Sequence, residues 1–237
     1  MFNPKSLFTL QKLKYQLEID KDILSPYIEP EEILKRAKSK VPTSPIPTVS
    51  GFSSWVYNLY NTTNSASLRV GKDIEKKIEL SRKNWIKKLP KRYNNLDAYS
   101  GFRLIFADPL DGSISPLSSS KLSVSGERLR GLPDLVLEHN SGKARNITII
   151  ERKVTKTDRN RIHAFGWPNL EVQLWCYGWM DEWCEANEVF LIGQIWWTNG
   201  VNFVEINDIV PRWQRSESDF HNRCLELFEI YGGKWII

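Results

Sequence analysis

Apolar residues recur along the chain at two spacings, and the switch between them predicts an order of elements. Leu7, Leu10, Leu13 and Leu17 fall at helical intervals. Pro30-Glu31-Glu32 opens a second short helix, with proline where a missing N–H is tolerated. Pro42, Pro45 and Pro47 then interrupt the pattern, so residues 41–50 read as a linker. Residues 1–50 are thus expected to form a helical arm ahead of a domain covering residues 51–237. Ile74, Ile78, Trp85 and Leu89 make a helical stripe from Lys72 to Leu89. Three strands are expected at residues 99–106, 132–138 and 146–153. The first two are separated by a serine-rich stretch, residues 111–130, which reads as a long connection of the functional or mobile kind.

Beyond Pro168, the positions Leu170, Leu174, Trp175 and Met180 predict a helix reaching Trp183. Residues 188–198 are almost continuously apolar, the pattern of a strand covered on both faces. Val201–Ile206 is its expected hairpin partner across Thr198-Asn199-Gly200. Ser216 and Asp219 signal a last helix carrying Phe220, Cys224, Leu225, Phe228 and Tyr231. The order is helix, three strands, helix, strand, strand, helix, and the class is α/β (α+β).

Composition narrows this picture. The chain has 237 residues, 41% of them hydrophobic and 26% charged, which excludes wholesale disorder. No apolar run is long enough to span a membrane, and Lys5, Lys12 and Lys14 interrupt the amino end in a way unlike a signal peptide. Cys176, Cys184 and Cys224 form no C-x-x-C and suit packing in a reducing, cytoplasmic compartment. His139, His163 and His221 lack zinc-ligand spacing, and no P-loop is present. The net charge of +5 is concentrated between Lys72 and Arg92, where nine basic residues meet three acidic ones. Such a face either attracts a polyanion or is simply solvated. The recurrent tryptophans Trp175, Trp179 and Trp183 are expected to be core residues rather than base-stacking platforms.

Chemistry is concentrated in Pro133-Asp134 and Glu151-Arg152-Lys153. Side chains alternate along a strand, so Glu151 and Lys153 share a face and Arg152 takes the other. A carboxylate and an ammonium at the end of an apolar strand are costly unless paired, hydrated or bound to an ion. If the two strands are neighbours, Asp134 and Glu151 can meet at one hard cation, for which magnesium is suited. The plainer alternative is a strand end emerging into solvent. Gln173 and Tyr177, four residues apart, share one face of the following helix.

Together these residues resemble the PD-(D/E)xK nuclease superfamily, whose restriction-endonuclease-like core runs helix, three strands, helix, strand. The resemblance covers about residues 70–198 and leaves both ends of the chain unaccounted for. Gln173 and Tyr177 resemble the Q-x-x-x-Y signature of its RecB-type branches, where the pair orders the site and the substrate. Glu75, one turn after Gly71, matches a helix glutamate found in many members, with Glu79 as the substitute. The resemblance implies a central mixed sheet flanked by helices and a magnesium-dependent, or manganese-dependent, DNA nuclease. It implies that Asp134, Glu151, the backbone carbonyl of Arg152 and Glu75 hold the metal. Lys153 would position or deprotonate the attacking water, the latter requiring a depressed pKa. Lys72, Lys76, Lys83, Lys156 and Arg159 would track the nucleic-acid backbone. Three scattered cysteines disfavour the branches with an iron–sulfur cluster. A homodimer or a larger nucleic-acid-processing complex is compatible, and endonuclease or exonuclease action stays open. The competing readings are a non-cleaving nucleic-acid-binding subunit of a repair, recombination or defence complex, and an unrelated α/β enzyme.

Overall fold

The computed structural model describes residues 30–61, 74–80, 102–110, 112–141, 144–156, 162, 166–199, 201–206 and 210–236. In chain order the helices are α1 (Pro30–Ser39), α2 (Val49–Tyr60), α3 (Pro168–Tyr177) and α4 (Ser218–Ile230), with a helical segment at 74–80 between α2 and α3. The strands are β1 (Phe102–Ala107), β2 (Leu117–Val124), β3 (Glu127–Gly131), β4 (Leu135–Ser141), β5 (Ala144–Thr155), β6 (Glu188–Thr198), β7 (Phe203–Glu205), β8 (Arg212–Gln214) and β9 (Gly233–Trp235).

The result is a mixed α/β fold. One sheet runs β1-β4-β5-β6-β7, with β8 also paired to β6. Its pairs are antiparallel except β5–β6, which are parallel from Asn146↔Glu188 to Thr155↔Trp197. These two strands are buried through most of their length, as expected when helices cover both faces. On one face, Val136, Ile147, Ile149 and Leu191 join α2, α3 and α4 in the main core. On the other, Leu135, Leu137, Ile150, Ile192 and Trp196 pack with Ile74 and Ile78 of the helical segment.

Four expectations need correction, the last of them in the amino-terminal arm. The serine-rich stretch is not a long connection: β2 and β3 form a hairpin there, and β9 joins it in a second sheet ordered β3-β2-β9. Leu122, Val124 and Leu129 anchor this sheet in the main core. Ser119 is buried within it because its hydroxyl donates to Trp179 O at 2.6 Å and accepts from the N–H groups of Lys121 and Leu122 at 3.2 Å. The helix from Pro168 stops at Tyr177; Met180 is extended (φ −69°, ψ 146°), and a separate 3-10 turn, Asp181–Trp183, follows. Trp175, Trp179 and Trp183 therefore do not share a helix, though Trp175 and Trp183 are core residues as expected. The last helix begins at Ser218, after the unforeseen strand β8.

In the described part of the amino-terminal arm, α1 buries Ile33 and Ala37 in the main core. α2 begins inside the stretch expected to be linker: Thr48 caps it by accepting from Gly51 N–H at 3.0 Å. Its Val49, Phe52, Val56 and Leu59 bury along one stripe. No described helix is long and apolar enough to cross a membrane.

Candidate active site

The site lies where β4 begins and β5 nears its end, under α3. Pairing between these strands starts at Leu135↔Ile150. Asp134 sits in the bend just ahead of β4, and its Oδ2 accepts the Arg152 N–H at 2.6 Å. The carboxylate thus extends the ladder by a side chain where the neighbouring strand has not begun. In an extended strand a residue's N–H and C=O leave on the same edge, so the Arg152 carbonyl also emerges towards Asp134.

Glu151 and Lys153 face α3, as alternation requires. Lys153 Nζ donates to Glu151 Oε1 at 2.8 Å and to Gln173 Oε1 at 2.7 Å. Gln173 Nε2 donates to Glu151 Oε1 at 2.6 Å and to Tyr177 Oη at 3.1 Å. One amide therefore holds both the carboxylate and the ammonium. Gly193, beside Glu151 in the parallel register, keeps β6 close to α3: a β carbon there would lie 2.7 Å from Leu170 Cδ2. Gly131, at the end of β3, does the same for Tyr177: a β carbon would meet Val49 Cγ2 at 2.6 Å and Tyr177 Cε1 at 2.9 Å.

Burial, and then the charge of Asp134, push the Glu151 carboxyl up to about 8 against the pull of Lys153; Glu75 adds to the rise. Burial alone would lower Lys153, yet Glu151, Asp134 and Glu75 hold its pKa above the ordinary value. These three carboxylates work against the depressed lysine that a general base would require. Tyr177 is raised well above its usual range by burial and by Glu151, so its hydroxyl stays protonated.

Glu75 is half-buried near this cluster, and its field reaches both Glu151 and Lys153. Glu79, one turn on, accepts from Arg152 Nη2 at 2.9 Å on the opposite face of the sheet. Lys76 and Lys156 are exposed. Lys72, Lys83 and Arg159 lie outside the described residues. Sequence reasoning missed Ser53 of α2, whose buried hydroxyl lies 3.0 Å from Asn169 O and 3.4 Å from Gln173 Oε1. Its signal was the helical spacing of Val49, Phe52 and Val56, which puts Ser53 beside the buried stripe.

Among the described residues, no three His, Cys, Asp or Glu side chains form a ready-made metal-ligand set. Glu151 Oε2, however, is buried with no hydrogen-bond partner among the described residues. A carboxylate oxygen without a donor, with Asp134 and Glu75 close enough to raise its pKa, suits an oxygen-ligated divalent cation.

No family model matches the chain, and no curated protein gives a significant match. Among solved structures it is similar to the crystal structure of SSO0001, at 14% identity and a TM-score of 0.35, over 86% of this chain and 87% of that one.

Proposed function

We propose that the chain is a metal-dependent nuclease of the PD-(D/E)xK type, with a restriction-endonuclease-like core, that hydrolyses phosphodiester bonds of DNA. The observation that carries this reading is the meeting of Asp134, Glu151, Lys153, Gln173 and Tyr177 at one place. The sequence supplies them from a bend, a strand and a helix, and one of them, Glu151, keeps a buried carboxylate oxygen with no hydrogen-bond partner among the described residues. The order of the helical segment 74–80, β1, β4, β5, α3 and β6, with the β2–β3 hairpin inserted between β1 and β4, supports the same reading.

Asp134, Glu151, the Arg152 carbonyl and Glu75 are the oxygen donors that would hold magnesium or manganese. A metal held by these donors would supply polarisation of the phosphate and a lowered pKa for a bound water. The chain's own contribution begins with Gln173, which bonds both Glu151 and Lys153 and limits their rotational freedom. Lys153, held 2.8 Å from Glu151 Oε1 and 2.7 Å from Gln173 Oε1, offsets negative charge building on the scissile phosphate and orients the attacking water. Tyr177 keeps Gln173 from rotating by accepting from its amide nitrogen.

The test is cleavage of supercoiled plasmid, linear duplex and single-stranded DNA with magnesium, manganese or chelator, beside the Asp134→Ala, Glu151→Ala and Lys153→Ala proteins. Metal-dependent cutting that falls by about a hundredfold or more in each variant is expected. Full activity in any of the three overturns the site. A wild-type protein that binds DNA in a salt-sensitive way but never cuts would leave the non-cleaving subunit as the reading.

A further inference from the structure

Arg152 stands between the two residues that face α3, so its own side chain points to the opposite face of the sheet. That face is the smaller core built from Ile150, Ile192 and Trp196 with Ile74 and Ile78. The Arg152 side chain is 0% exposed there. Burying a guanidinium among aliphatic side chains is unfavourable unless it is paired with good geometry. Its partners are Glu79, at 2.9 Å, on the helical segment that also carries Ile74, Glu75 and Ile78, and Asp134, whose Oδ2 lies 3.9 Å from Arg152 Nε. The adjacent position of β6 is polar as well: Gln194 is in register with Arg152 and donates to Glu205 Oε1 at 3.0 Å. The aliphatic contacts alone leave a helix able to slide or rotate, because apolar packing is weakly directional. A guanidinium–carboxylate bond fixes one register.

Glu75 lies one helical turn before Glu79. Whatever fixes Glu79 against β5 also fixes where Glu75 stands relative to Glu151, on the same strand. The Arg152 main chain completes the arrangement, since its N–H holds Asp134 Oδ2 at 2.6 Å. We propose that Arg152 is a positioning residue for the metal-binding carboxylates: by gripping Glu79 it sets the register of the helix that presents Glu75 to Asp134 and Glu151. The inference rests on the nuclease reading and deepens it by linking the two faces of the sheet. The residue between the glutamate and the lysine is then a structural link between helix and strand, with no contact of its own to substrate.

The test is direct binding of manganese to the full-length protein, counted by the EPR signal of unbound Mn2+, with the metal-free melting temperature recorded for every variant. Glu79→Gln is the mild variant, because it keeps a hydrogen-bonding group of the same size; Arg152→Lys and Arg152→Met follow. Glu79→Gln is expected to weaken Mn2+ binding by about tenfold, as loss of an outer-shell partner does. Arg152→Lys should fall between wild type and Arg152→Met. In a Glu75→Gln background, Glu79→Gln should add little, because both changes remove the same contribution.

A folded Glu79→Gln protein with the wild-type Mn2+ affinity overturns the inference, even where its melting temperature falls. So does a double variant whose losses multiply to about a hundredfold. A wild-type chain that binds no Mn2+ removes the metal reading itself and this inference with it, and the wild-type titration tells that failure from the others.

Discussion

Gln173→Leu is the sharpest probe of the site's geometry, because its effect on stability does not depend on what the site does. The substitution keeps the volume of a buried side chain and deletes the amide. Two charge-assisted hydrogen bonds are lost, Lys153 Nζ to Oε1 at 2.7 Å and Nε2 to Glu151 Oε1 at 2.6 Å, together with the bonds to Tyr177 at 3.1 Å and from Ser53 at 3.4 Å. Hydrogen bonds to charged groups contribute about 1.5–3 kcal/mol each, and a neutral one about 1. Their sum is an upper limit, because the Lys153–Glu151 contact at 2.8 Å survives and leucine gains apolar burial. The expected net loss is about 3–5 kcal/mol, small enough for the protein to remain folded within a typical stability of about 5–15 kcal/mol. Urea unfolding at about pH 9, where Glu151 is ionised, reads this as a midpoint lowered by about 1–2 M at an unchanged slope. Tyr177→Phe, which removes one neutral acceptor, should lose about 1 kcal/mol. Equal midpoints for wild type and Gln173→Leu would mean that the amide does not hold Glu151 and Lys153 together, and the account of the site would fail.

Acid should unfold the protein partly through His139, which is 0% exposed, lies 3.0 Å from Thr148 Oγ1, and is lowered by burial to about 4. The unfolded state binds this proton near pH 6.5 and the folded state only near pH 4, so stability falls as pH drops through that window. The loss is about 1.4 kcal/mol per unit, or about 3 kcal/mol in all; a His139→Gln profile parallel to wild type between pH 7 and 4 would refute it. Gly131→Val should overpack the junction of Val49 and Tyr177 and lower stability by about 1–3 kcal/mol, with an unchanged melting temperature as the contrary result. Ser53→Ala should weaken Gln173's support by about 1 kcal/mol without altering Tyr177, as a double-mutant cycle with Gln173→Leu would reveal by its non-additivity.

What the sequence made legible was the local part of the site. Glu151 and Lys153 end a run of apolar strand residues, so their shared face follows from a period of two. Gln173 and Tyr177 share a face because they are four apart on a helix. The long strand β6 was equally plain from its continuous apolar run. The hairpin β2–β3 was not, because serine marks a turn as readily as a strand. Ser119 becomes a core residue only through its bond to Trp179 O, a partner 60 positions away. α2 was hidden by Pro42, Pro45 and Pro47, which argue for a linker until Thr48 caps the helix. The early end of α3 depends on the extended backbone at Met180, which no spacing of tryptophans announces.

Arg152 shows why a pattern can reveal residues and still conceal their roles. Alternation says only that it faces away from Glu151 and Lys153; a solvent-facing arginine obeys the same rule. Its burial is decided by the helical segment, whose Ile74 and Ile78 cover that face and whose Glu79 meets the guanidinium. Removing one member of such a buried pair costs about 3–5 kcal/mol, whereas replacing both by apolar groups of similar volume is often neutral or stabilising. An Arg152→Met/Glu79→Leu protein should therefore recover most of the stability lost by Arg152→Met alone. Restored melting temperature with Mn2+ binding still weakened would separate Arg152's positioning of Glu75 and Asp134 from its part in holding the fold. Restoration of both together would show that apolar packing is sufficient to place the helix, and that the ion pair adds nothing to the site.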